Sequence, residues 1–221
     1  HNNPRFFHRK YFYIHIRISF HYSVRKRIGI FFGSKFNFSQ HENDIEATFG
    51  TIHPVLRNSV ASMEFGGSAL NKYYSKGNNR GNQRKTSDVY AITTAVLYQS
   101  AVQNFALAPN NLTDAPAWAM DFMKEVPTTW DDVKFIDGYP GKYLIFARRH
   151  GDTWYVGAVN AQKDQPLKKK VELPMLTGGE EVTVYSDTKE LVGSKSTKKL
   201  PKNKKFEINV PYNGAMLIVG K

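Results

Sequence analysis

The chain of 221 residues has no cysteine. That excludes disulfides, thiolate metal sites and thiol nucleophiles, and it leaves the redox compartment open. Long apolar runs are missing as well. No stretch approaches the roughly 20 residues needed to cross a bilayer as a helix. Residues 1–41 lack more still: they contain no Ala, Leu, Asp, Glu, Thr or Met, and are crowded with Phe, Tyr, Ile, His, Arg and Asn. Their apolar runs, Tyr11–Ile16 and Ile28–Gly33, are too short for the core of a signal peptide, and Arg17, His21 and Arg25–Arg27 interrupt every longer candidate. No window there holds a helical or a strand-like period.

The missing acids decide how the charge is read. A net charge of +12 would by itself suggest nucleic acid or an anionic membrane as partner. Residues 1–41 hold 8 Lys/Arg and no acid, whereas residues 42–221 hold 23 Lys/Arg against 19 Asp/Glu. A basic, aromatic arm could stack bases and pair with phosphates. The joint absence of so many common residue types fits translated non-coding or out-of-frame sequence better. Residues 1–41 are therefore expected to be disordered or not native, and neither nucleic acid nor a membrane is the expected partner.

From about Asn43 the composition becomes ordinary for a globular protein. Asp44–Val55 predicts a helix with Ile45, Phe49 and Ile52 on one side, ended by His53-Pro54. Asn58–Phe65 predicts a short strand reaching a turn at Gly66-Gly67, and Ser75–Lys85 a polar loop. Ser87 is placed as an N-cap, with Asp88 favouring the dipole and Val89, Ile92, Val96 and Leu97 at helical spacing. Asp114 is placed to cap a second helix with Pro116 in its first turn and Trp118, Ala119, Phe122 and Met123 as its apolar face. Val126-Pro127 stops that helix.

After Trp130 the period changes to two. Val133–Ile136, Tyr143–Arg149, Thr153–Asn160, Lys169–Leu173, Glu181–Ser186, Phe206–Val210 and Ala215–Val219 are the expected strands. Turn signals separate most of them, His150-Gly151-Asp152 and Tyr212-Asn213-Gly214 among them. Short strands with such punctuation predict a β-sandwich. The fold class is thus α+β: the last β/α unit of a (β/α)8 barrel, followed by an all-β sandwich. The domains follow as 1–41, the atypical segment; 42–127, the C-terminal part of the barrel; and 128–221, the sandwich.

Five segments in order, HPVLRNSVASMEFGG (53–67), TSDVY (86–90), QNFALAP (103–109), VPTTWD (126–131) and ARRHGDTW (147–154), carry a resemblance. From about Gln40 to Lys221 the chain resembles the C-terminal part of glycoside hydrolase family 97. The resemblance implies an N-terminal β-sandwich, a central (β/α)8 barrel and a C-terminal sandwich sometimes called an oligomerisation domain. It implies α-glucosidase or α-galactosidase activity on an oligosaccharide or α-glycoside, in inverting or retaining members. It also implies calcium near the active site of the full-length enzyme, homo-oligomer contacts, and a periplasmic or secreted location. The family's catalytic acid is implied upstream of Gln40–Glu46, close to where Lys35 stands. The base or nucleophile and the calcium-binding glutamates are implied in sequence that this chain does not include. The chain by itself is expected to bind no calcium and to show no turnover.

Glycoside hydrolysis needs two carboxylates flanking the bond. Glu64, at the end of the expected barrel strand, is the candidate for a hydrogen bond to a sugar hydroxyl, set against a plain ion pair with Arg57. No catalytic, cofactor or metal residue is assigned. His41, Glu42, Asp44 and Glu46 are compact enough to suggest a hard cation, but acids at a helix start serve the dipole equally well. His53 and His150 lack ligand spacing. Lys195–Lys205 reads as a solvated loop guarding a sheet edge. Ser68 fails the nucleophile-elbow pattern because Leu70 replaces its final glycine. Asn37 and Asn111 head glycosylation sequons. Trp118 and Trp154 are expected in the core, and Trp130 at the junction, which makes Glu125–Asp131 a rigid link. The alternative function is a non-catalytic sandwich module that binds carbohydrate or a partner protein.

Overall fold

The computed structural model describes residues 40–63, 70, 72–73, 79–103, 105, 107 and 110–221. The expected strand end at Glu64, the turn at Gly66-Gly67, Ser68, the Asn37 sequon and residues 1–39 lie outside the described residues. Four helices are described: α1 (Gln40–Leu56), α2 (Asp88–Leu97), the single turn α3 (Asn111–Asp114) and α4 (Ala117–Glu125). Eight strands follow: β1 (Asp132–Tyr139), β2 (Tyr143–His150), β3 (Thr153–Asn160), β4 (Leu167–Glu172), β5 (Glu181–Asp187), β6 (Gly193–Lys199), β7 (Lys205–Val210) and β8 (Ala215–Gly220).

The strands form a six-stranded sheet in the order β1-β2-β3-β8-β5-β6 and a two-stranded sheet β4-β7, antiparallel throughout. In the β2–β3 hairpin His150 pairs with Thr153, leaving a two-residue loop. Gly151 opens that loop at φ +56°, the left-handed region where a type II′ turn takes glycine. Alternation divides the large sheet into two apolar faces. Ile145, Ala147, Val156, Ala158, Val184 and Ile218 pack against Leu167, Val171, Phe206, Ile208 and Val210 of the small sheet. Leu144, Val159, Tyr185, Ala215 and Leu217 face the other way, toward the helices.

That second face decides where the helices go. Every residue of α2 from Val89 to Leu97 is buried, as expected of a helix that is apolar all round. It lies on β3, where Gly157 leaves room: a Cβ there would meet Thr93 Cγ2 at 2.9 Å and Leu97 Cδ2 at 3.0 Å. α4 adds Ala119, Phe122 and Met123 to the same core, and α1 adds Ala47. The helices bury their apolar faces on the large sheet of the sandwich.

Several expectations are corrected. α1 starts at Gln40 and runs through Pro54, which falls in its last turn and lacks the N–H that would bond the carbonyl one turn back. Its buried stripe is Asn43, Glu46, Ala47, Gly50, Thr51 and Pro54, a clean helical repeat of small and polar residues. Ile45, Phe49 and Ile52 are only half-buried. The stripe is small because Tyr90 presses into it: a Cβ on Gly50 would overlap the Tyr90 hydroxyl.

Residues 57–60 form turns and 61–63 are irregular, so the described part of Asn58–Phe65 is not a strand. Asp114 does not cap α4; it ends α3 and accepts from Asn110 Nδ2 at 2.8 Å. Pro116 occupies the N-cap of α4 without a side-chain bond. Lys195–Lys205 is not one loop: its first lysines lie in β6, its last begins β7, and Leu200 between them is fully buried. β6 was missed because GSKSTKK has no apolar alternation; backbone pairing to β5 makes it a strand.

Candidate functional site

A buried polar seam joins α1, α2 and the ends of β5 and β8. Ser87 is the N-cap of α2, as its position predicts: its Oγ accepts from Tyr90 N–H at 2.8 Å. The Ser87 hydroxyl donates to Asp187 Oδ2. The same carboxylate oxygen accepts from Ala215 N at 2.8 Å, so Asp187 ties the helix cap to the last strand. Its other oxygen, Oδ1, is sealed from solvent and has no hydrogen-bond partner among the described residues, and the same holds for Asn213 Oδ1. Burial, with a smaller contribution from Asp88, pushes the Asp187 carboxyl up to about 7, against the pull of Ser87, Ala215 N–H and Arg84. Arg84 itself pairs with Asp88 at 2.5 Å.

The α1 side of the seam is closed equally tightly. Thr86 donates to Glu46 Oε2 at 3.0 Å, and Tyr90 Oη donates to the Glu46 carbonyl at 2.8 Å. Tyr90 and Tyr98 are fully buried, and desolvation holds both hydroxyls protonated. Thr51 Oγ1 accepts from Gly141 N at 2.8 Å, which pins α1 to the β1–β2 turn. At the far end of α2, Arg148 is only 3% exposed and donates to the Leu97 carbonyl at 3.1 Å. A guanidinium at a helix C-terminus answers the dipole, while desolvation lowers its pKa to about 10.

These groups are structural in geometry. Glu46 is 6% exposed and accepts from Thr86. Asp131 accepts from Gly151 N at 2.7 Å, and Asp137 from Tyr143 Oη at 3.0 Å and Lys169 Nζ at 2.7 Å. Glu64 lies outside the described residues, so its proposed sugar contact has no geometry here. His41, Glu42, Asp44 and Glu46 spread around α1: Asp44 accepts from Gln40 at 3.0 Å, whereas Glu46 turns inward. Among the described residues no three His, Asp or Glu side chains converge as a metal site. Calcium takes six or more oxygens, so the donors described here do not fit it. Asn111, head of a sequon, is buried against Asp114 and closed to a glycosyltransferase in this fold.

The tryptophans all make ring contacts. Trp118 stacks on Tyr185 at 5.8 Å, Trp130 meets Tyr155 edge-on at 5.4 Å, and Trp154 is buried beneath Lys134 and Arg149. The segment Glu125–Asp131 is pinned by Asp131 N to Arg149 O at 2.8 Å and by His150 Nδ1 against Thr129 O at 2.9 Å.

The two edges of the large sheet differ. β6 carries Lys195, Lys198 and Lys199, the charges that keep an edge from pairing with another chain. β1 shows Val133, Phe135 and Tyr139 at 48%, 58% and 59% exposure. Sequence reasoning had marked the guarded edge and not the open one. Val133 and Phe135 alternate within an expected strand, and alternation by itself does not say whether the apolar side is covered.

Comparison with known proteins places this arrangement. Residues 129–219 match the family described as glycosyl-hydrolase 97 C-terminal, oligomerisation. A probable retaining alpha-galactosidase of Streptomyces bingchenggensis is 32% identical over 111 residues, covering 50% of this chain and 16% of the relative. The retaining alpha-galactosidase of Bacteroides thetaiotaomicron is 38% identical over 64 residues, covering 29% and 10%. A crystal structure of a beta-arabinopyranosidase superposes with a TM-score of 0.79 at 50% identity, over 82% of this chain and 29% of that one. A family 97 enzyme from Pseudoalteromonas sp. strain K8 shares the fold, with a TM-score of 0.67 at 21% identity over 79% of this chain. The chain therefore spans less than a third of each of these proteins.

Proposed function

We propose, proceeding from the chain's place as a C-terminal part of glycoside hydrolase family 97, that it belongs to a retaining glycosidase acting on galacto-configured pyranosides. An α-galactoside and a β-L-arabinopyranoside share an axial anomeric oxygen and an axial O4, and differ only in the carbon outside the ring. Two of the relatives are named as retaining alpha-galactosidases and one as a beta-arabinopyranosidase, and the 50% identity to the last across 82% of the chain carries the reading. α-Glucosides, which the family resemblance also allows, present an equatorial O4 and are expected to be poorer substrates. Residues 42–127 are the end of the catalytic barrel in this reading. Their helices dock on the C-terminal sandwich, which braces the barrel and supplies subunit contacts.

The acid, the nucleophile and the calcium donors belong to residues outside those described. Retaining chemistry needs two carboxyl groups about 5–5.5 Å apart at the sugar, whereas Glu46 is bonded to Thr86 and Asp187 to Ser87 and Ala215, so neither is assigned that role. Nitrophenyl glycosides test this. The longer protein carrying this sequence should release nitrophenol from an α-galactoside or a β-L-arabinopyranoside in preference to an α-glucoside, and the chain of 221 residues should release none. A preference for the α-glucoside would overturn the substrate class. Turnover by the chain itself would overturn the placement of the catalytic groups. The carbohydrate-binding module reading needs exposed aromatics in a planar row; Trp118, Trp130 and Trp154 are engaged elsewhere, and Phe135 and Tyr139 on β1 are exposed rings.

A further inference from the structure

We infer that β1 is the surface through which two copies of this chain associate. The inference rests on the reading that residues 129–219 serve in oligomerisation, and it names the surface and the partner. A long, apolar edge strand exposed to water is a template for pairing, and folded proteins blunt such edges. This sheet guards one with lysines and leaves the other apolar, interrupted by a register shift between Phe135 and Asp137 and with Val133 N bonded to Asp132 Oδ1 at 2.8 Å. β6 carries Lys195, Lys198 and Lys199 among small polar residues. β1 is eight residues long and exposes Val133, Phe135 and Tyr139 by half or more of their surface or close to it.

Phe135 pairs with Phe146 across β1–β2 and touches it edge-on at 6.2 Å, and Val133 pairs with Arg148. Val133 and Phe135 therefore rise from the same side of the sheet, beside the half-buried Phe146. The strand itself is held firmly. Asp131 is bound to Arg149 and Gly151, and Asp137 to Tyr143 and Lys169, on either side of the exposed stretch. An exposed apolar strand on so rigid a frame loses little conformational entropy when it is covered.

The charges favour a second copy as the occupant. Asp132 and Lys134 flank Val133 with opposite sign. An antiparallel pairing about a two-fold axis through Val133 sets Asp132 of one copy opposite Lys134 of the other, twice. A two-fold contact is self-complementary by construction, so this edge attracts its own copy. The β6 edge set against itself would oppose lysines instead.

The test is sedimentation equilibrium of the full chain in the ultracentrifuge, on wild type, Phe135→Glu and, as a control at the other edge, Lys195→Glu. Phe135 is largely exposed, so its replacement should leave the monomer folded, and melting curves at a concentration where both proteins are monomeric check this. The expected result is a wild-type dimer, a dissociation constant raised about tenfold or more in Phe135→Glu, and no change in Lys195→Glu. Asp132→Lys and Lys134→Asp should each weaken the dimer, and together restore it.

A wild-type chain that stays monomeric would sink both the oligomerisation reading and this surface. A dimer indifferent to Phe135→Glu but sensitive at the β6 edge would keep that reading and discard this surface. A longer, monomeric protein with the β1 amides protected from exchange would make the rest of the polypeptide the occupant, and would overturn the proposal.

Discussion

Replacing Asp187 with asparagine should remove a pH dependence built into the seam between helices and sandwich. The carboxyl is held at about 7 in the folded chain against 3.8 as its ordinary value. The folded value lies above the unfolded one, so the folded state binds the proton more tightly. The stability this group contributes is fully present below about pH 4, falls as pH rises, and is gone above about pH 7. At roughly 1.36 kcal/mol for each tenfold change in proton affinity, the loss approaches about 4 kcal/mol. The cost has a visible source: on ionisation the carboxylate holds its charge where Oδ1 is closed to solvent and meets no donor among the described residues.

In Asp187→Asn the amide oxygen can still accept from Ser87 and Ala215, while no charge is buried. The amide nitrogen is left without a partner, so the gain above neutral pH should be smaller, about 2 kcal/mol. Urea unfolding followed by the fluorescence of Trp118, Trp130 and Trp154 reads the difference, since each packs in or beside a core. Other groups titrate in the same range, among them His53, which burial and Arg57 lower to about 4. They are common to both proteins and cancel when one curve is subtracted from the other. The reasoning fails if the two curves run parallel from acid to alkaline pH, or if the variant is less stable throughout.

Two further outcomes follow from the packing of α2. Gly157→Val should destabilise the chain by about 1–3 kcal/mol, because Thr93 and Leu97 already stand 2.9 and 3.0 Å from where a Cβ would sit; an unchanged urea midpoint would show that the helix slides freely on the sheet. Tyr90→Phe removes the hydroxyl bonded to the Glu46 carbonyl and should cost about 1 kcal/mol. Hydrogen exchange should then speed up in α1 more than in β4 and β7, which do not touch that bond.

The sequence by itself determined the local decisions. The change of period after Trp130 marked most of the sandwich strands to within a residue or three, because half-buried strands alternate and turns need special residues. Ser87 announced the start of α2, because a cap is satisfied within three residues of chain. Motif order placed the family.

What the chain could not say locally, the tertiary structure decided. The buried stripe of α1 is built from Asn43, Glu46, Gly50 and Thr51, residues that look like a solvent face until Tyr90, far along the chain, occupies the space they leave. β6 exists because β5 offers its backbone, and no side chain in GSKSTKK records that. Asp187 carried no mark in sequence, because its burial depends on Ser87 and Ala215 meeting it across the fold. Periodicity and capping are properties of neighbours in the chain. Burial, strand pairing and a raised carboxyl pKa belong to neighbours in space, and only the packed sheet and helices bring those together.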